Sequence, residues 1–113
     1  MTREEKEQIL LKDLSARLPY GVKVDVNFND STEVLSCSLL QDFILSEKVL
    51  RPYLRPLSSM TEEEENEYRA INCYEGLFPH NEDALDYVLE RHFDYRGLIH
   101  MGLALEAKDG MYE

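Results

Sequence analysis

The sequence predicts a single α+β domain, with an N-terminal helix, a two- to three-stranded antiparallel sheet, and two to three helices packed on it. Two patterns carry this expectation. Thr2 with Glu5 and Thr61 with Glu64 each have the T-x-x-E form of a helix-starting capping box. Between them, "VKVDVNF" at 22–28 alternates apolar and polar residues with the period of a strand. The 113 residues suit one domain able to bury a real core, and 43% apolar residues with seven Tyr and four Phe are too many for a disordered acidic chain.

The first helix is expected over about 3–18, with Leu10, Leu11, Leu14 and Leu18 at helical spacing and Glu4, Glu7, Lys12 and Asp13 mostly elsewhere on the wheel. Pro19 and Gly21 end it. In the strand that follows, Val22, Val24, Val26 and Phe28 share the buried face, and Lys23, Asp25 and Asn27 the other. Asn29-Asp30-Ser31 supplies turn chemistry, and 34–40, with Leu35, Cys37 and Leu39 on one face, reads as the return strand of a hairpin. "FILSEKVL" at 43–50 is expected to be a third strand, with a short helical turn as the alternative. The two Arg-Pro steps of "RPYLRPLSSM" make 51–60 a linker between a sheet half, 1–50, and a helical half, 61–113. Pro52 and Pro56 are four apart, which is not the P-x-x-P spacing of a polyproline ligand.

The helical half should contain a helix over about 62–74, with Glu65 and Arg69 paired at i, i+4 and Tyr68 and Ile71 on its apolar side. Gly76 and Pro79 break the chain. A second helix over about 82–92, capped by Asn81, carries the stripe Leu85, Val88, Leu89 and His92. Asp94 would cap a short third one ending before Gly102, with a last strand or extended tail over 103–106.

Charge is concentrated locally. Residues 61–94 carry eleven acids against Arg69 and Arg91 alone, whereas 1–60 carry nine acids and eight bases. A surface of that sign repels phosphate backbones and anionic lipid heads, so no direct nucleic-acid or membrane binding is expected. Solvation of two helices explains such carboxylates at minimum; a basic protein partner is the functional reading. Glu62, Glu63, Glu65 and Glu67 would then provide the charge, and Tyr68, Tyr74, Phe78 and Tyr87 the aromatic anchors of the interface. No run of about 20 apolar residues and no leader pattern occurs, which predicts a cytoplasmic protein. Cys37 and Cys73, without C-x-x-C spacing, are expected to be reduced and to serve as small core residues.

One stretch has the inventory of a catalytic site. "HFDYRGLIH" at 92–100 brings His92, Asp94, Tyr95 and His100 within nine positions, and acid–base or metal chemistry on these four is the alternative to a binding module. The eight-residue gap between the histidines is not the ligand spacing of a standard metal site, and the stretch is read first as a joint between two helices. "PHNED" at 79–83 lacks the glycine and alternating oxygen ligands of an EF-hand, and adjacent glutamates of a helix point about 100° apart. No phosphate-binding glycine loop, nucleophile elbow or H-E-x-x-H pattern is present, and no cofactor or metal is expected.

"LLKDLSARLPYGVKV" at 10–24, "RPYLRPLSSMTEEE" at 51–64 and "HFDYRGLIHMGLALEA" at 92–107 together resemble a family of short proteins of gut bacteria of the Bacteroides type and of their phages and mobile elements. The resemblance covers about half of the chain. It implies a small cytoplasmic protein of prophage origin, and carries no activity or catalytic residues to transfer.

Overall fold

The computed structural model describes residues 1–73 and 75–112. Helix α1 spans Arg3–Arg17, and its N-terminus has the full capping box: the Glu5 amide donates to the Thr2 hydroxyl at 3.1 Å, and the Thr2 amide to the Glu5 carboxylate at 3.4 Å. A 3-10 turn at Leu18–Tyr20 and the left-handed Gly21, with φ 69°, redirect the chain into strand β1, Lys23–Val26. Strand β2, Glu33–Val34, pairs antiparallel with β1, with Val24 opposite Glu33.

The hairpin therefore exists, but its return strand has only two residues. Residues Cys37–Ile44 form helix α2, not the continuation of a strand. Ser36 caps it by accepting the Leu39 amide at 3.2 Å, and Leu39, Leu40 and Phe43 then meet the core at helical spacing. The alternation of Leu35, Cys37 and Leu39 had the period of a strand over too few residues to decide. Cys37 consequently lies exposed, as does Cys73, so both thiols are free but neither is a core residue. The expected third strand over 43–50 is likewise absent: α2 ends in turns, and only Leu50 joins a strand.

The largest correction concerns the linker. Leu50–Pro56 forms β3, the central strand, antiparallel to β1 through Val24 opposite Pro52 and parallel to two later strands. Prolines are tolerated here for a geometric reason. The Val49 carbonyl accepts the Asn27 amide and the Arg55 amide donates to the His92 carbonyl, each at 2.8 Å, so odd-numbered backbone groups face the edge shared by β1 and β4. Strand backbone groups alternate sides, which turns the missing donors of Pro52 and Pro56 to the opposite edge, where β5 pairs only with Tyr53 and Leu54.

Helix α3, Glu62–Asn72, starts at the second capping box, with the Glu64 amide on the Thr61 hydroxyl at 3.1 Å; α4, Glu82–Glu90, starts at Asn81, whose side chain accepts the Ala84 amide at 2.8 Å. They cross back to β4, Phe93–Asp94, which runs parallel to β3. The helix expected after Asp94 does not form. Asp94 still receives the Leu98 and Ile99 amides at 2.9 and 3.0 Å, as a cap would, but Gly97 and Gly102 adopt left-handed geometry and the segment stays in turns until β5, Leu105–Glu106. "HFDYRGLIH" thus joins a helix to a strand and a series of turns.

Two apolar clusters share α1. Leu10 and Leu14 pack with Val22, Val24, Leu50, Leu54 and Leu98, while Ala16 reaches the cluster of Tyr68, Val88 and Phe93 formed by α3, α4 and β4. Between them sits a polar pair: Asp13, which periodicity placed mostly away from the apolar side, and Arg17 are both fully buried. Asp25, expected on the polar face of its strand, is also fully buried and accepts from Arg51 at 2.8 Å and the Ser31 amide at 2.9 Å. Phe28, expected inside, is 62% exposed, because a turn with φ 57° at both Asn27 and Phe28 ends the strand before it.

Tyr112 bridges two strands of the sheet. Val24 faces Pro52, so Lys23 and Tyr53 would be the next ladder pair, but the Tyr112 hydroxyl stands between them. It accepts the Lys23 amide at 2.9 Å and donates to the Tyr53 carbonyl at 2.6 Å. Burial raises its pKa to about 12, so it remains a donor.

Candidate functional site

Three groups of residues have the chemistry to act on something outside the chain. The first is the acidic face. Glu62, Glu63 and Glu67 of α3 and Glu82, Asp83, Asp86 and Glu90 of α4 are all exposed. Most of the remaining charge there is internally compensated: Arg69 donates to Glu65 at 2.8 Å, Glu64 holds Arg55 at 2.7 Å, and the Arg91 guanidinium lies 3.8 Å from the Tyr87 ring. The Arg55 hydrogen bond, outweighing partial burial, lowers the pKa of Glu64 and keeps it ionised.

The aromatic residues expected to anchor an interface on this face divide sharply. Tyr68 has no exposed surface and Tyr87 is 5% exposed, and their rings pack with centroids 5.5 Å apart. The Tyr68 hydroxyl donates to the Leu77 carbonyl at 2.7 Å, and burial pushes its pKa up to about 12. Tyr87 donates to Glu67 at 3.2 Å. Both are core residues of the α3–α4 pair, so neither can touch a partner. Phe78 is 56% exposed and remains available, with its edge against Tyr95 at 6.1 Å; Tyr74 lies outside the described residues.

The second group is the histidine stretch, whose members point to different neighbours. His92, left-handed with φ 63° after the end of α4, stacks on Tyr112 at 3.8 Å. Burial, then the nearby charges of Arg17, Arg55 and Lys23, lower its pKa to about 4, which holds the ring neutral. Asp94 is occupied by the Leu98 and Ile99 amides, Tyr95 packs against Arg96 and Phe78, and His100 is exposed. Among the described residues, none of the four lines the cleft between α1 and α2 or the one between Arg55 and Tyr112. Among the described residues, no three His, Cys, Asp or Glu side chains are grouped to hold a metal ion.

The third group escaped sequence reasoning. A cleft of about 590 Å³ opens between the first half of α1, the end of α2 and the turn after β1. Its apolar lining is Leu10, Leu11, Phe28, Phe43, Ile44, Val49 and Leu103, and Arg3, Glu4, Lys6, Glu7, Gln8, Ser46 and Lys48 complete it. The two turns that build it are tied together, because Asn27 and Val49 exchange two hydrogen bonds: the Asn27 amide donates to the Val49 carbonyl at 2.8 Å, and the Val49 amide to Asn27 Oδ1 at 2.9 Å. The only trace of this cleft in the sequence was the apolar run at 43–50, which fitted a strand equally well. No protein-family model matches the chain, nor does any curated protein or solved structure. Among the described residues, no helix is long and apolar enough to cross a membrane.

Proposed function

We propose that the protein is a non-catalytic protein-interaction module of the cytoplasm that meets a basic partner through the acidic face of α3 and α4. One observation supports this above the others: seven carboxylates on two adjoining helices, from Glu62 to Glu90, stand exposed, while the face's own arginines are engaged by Glu65 and the Tyr87 ring. Uncompensated charge of one sign accelerates encounter with a surface of the opposite sign and rejects like-charged competitors. Phe78 supplies one apolar contact beside it. The likeness to short proteins of phages and mobile elements favours a basic protein that itself holds nucleic acid, with carboxylates occupying the place of phosphates.

Affinity capture from host lysate at low and high salt, repeated with Glu62, Glu63, Glu65 and Glu67 changed to Gln, tests the reading. A basic partner should be retained at low salt, released at high salt and lost by the variant. A partner held equally by the variant without salt dependence would remove the electrostatic basis.

A further inference from the structure

We infer that the cleft between α1, α2 and the β1 turn is a binding site for a small amphiphilic carboxylate, an apolar chain ending in a single anionic group. Its volume, about 590 Å³, is that of a small-molecule site, and seven of its lining residues are aliphatic or aromatic. Phe28, Ile44 and Val49 on its walls are 62%, 58% and 46% exposed. Exposed apolar side chains scattered singly are ordinary, but these three converge on one concavity. Phe28 is held outward in left-handed geometry, a conformation that a bulky aromatic residue adopts at a cost, and the Arg51 guanidinium fixes its ring from 4.3 Å.

The charge on the rim selects the head group. Arg3, Lys6 and Lys48 line the cleft together with Glu4 and Glu7, three bases against two acids; Lys6 and Lys48 are half-buried there, whereas Glu4 and Glu7 are exposed. Glu7 is engaged by Arg3 at 3.2 Å and Lys48 by Asp42 at 3.2 Å, and Lys6 makes no ion pair among the described residues. In a chain of net charge −11, the ammonium of Lys6 beside an apolar concavity favours an anion there. An alkyl chain would lie over Leu10, Leu11 and Phe43 with its carboxylate at Lys6.

The test is calorimetric titration of the full chain with dodecanoate below its micelle-forming concentration, alongside dodecanol and dodecyltrimethylammonium. Saturable binding of one dodecanoate per chain is expected, with both other probes weaker. Lys6→Gln should weaken dodecanoate about fivefold, the size of a partly exposed ion pair, and leave dodecanol unchanged. Ile44→Glu, at an exposed position that the fold does not need, should weaken dodecanoate and dodecanol, and circular dichroism would verify that both variants remain folded. Absence of saturable binding, equal binding of dodecanol and dodecanoate, or indifference to Ile44→Glu would each overturn the assignment. These outcomes are independent of the acidic face, so the protein-binding reading stands or falls separately.

Discussion

Arg17 and Asp13, one helical turn apart in α1, form an ion pair at 2.7 Å with neither side chain exposed to solvent. Arg17 also donates to the Phe93 carbonyl at 2.7 Å, and Arg96 approaches the second oxygen of Asp13 at 3.3 Å. The group ties α1 to β4 and to the turn beyond it, where the two apolar clusters meet. Removing one member leaves a buried charge uncompensated. Asp13→Leu should therefore cost about 3–5 kcal/mol in urea denaturation. The double variant Asp13→Leu with Arg17→Met should recover part of that loss, since only the partly exposed Arg96 is then left without its partner. A double variant no more stable than the single one would show that the pair contributes more than mutual compensation.

Acid should destabilise the protein in a window set by His92. Above pH 6.5 the ring is neutral in both folded and unfolded chains and contributes no pH dependence. As pH falls below 6.5 the unfolded chain takes up the proton, while the folded ring, held to about 4, does not. Stability is then lost between about 6.5 and 4, by up to about 3 kcal/mol. Below that window the carboxylates with lowered pKa take over. Asp25, where the Arg51 and Ser31 hydrogen bonds outweigh burial, and Glu64, bonded to Arg55, give stability that disappears as pH falls through their lowered values. His92→Asn, which tolerates the left-handed backbone, should flatten the profile between pH 6.5 and 4.5 in melting experiments and leave the steeper loss below pH 4.

Tyr112→Phe should keep the stack on His92 while deleting the hydroxyl that bridges β1 and β3. The Lys23 amide and Tyr53 carbonyl would lose their partner, at a cost of about 1–2 kcal/mol. Hydrogen exchange at the Lys23 amide is the specific readout, and unchanged protection there would show that β1 and β3 close directly once the hydroxyl is gone.

Val24, fully buried and opposite Pro52, reports the register of β1. Val24→Asp places an unpaired charge in the core and should cost several kcal/mol, enough to lower the melting temperature by well over about 10 °C in a chain of this length. An unaltered melt would contradict the register.

The sequence alone determined what depends on near neighbours. Both capping boxes, the Asn81 cap, α1, α3 and α4 follow from side chains bonding to backbone three residues away, and the valines of 22–26 follow from a period short enough to read in one strand. The excess of acids in 61–94 was equally visible, and with it the exposed carboxylates. Only tertiary structure decided the rest. The proline-bearing 50–56 reads as a linker, because nothing local reveals that both missing donors face an edge where few partners are needed. Asp13 and Asp25 read as surface residues, since their burial depends on partners that packing supplies: Arg96 for Asp13 and Arg51 for Asp25. Tyr68 and Tyr87 had the composition of interface anchors and became core when α3 folded against α4. The cleft was the least legible feature of all, for it is a space between α1, α2 and a turn, and a concavity exists only once the elements around it have been placed.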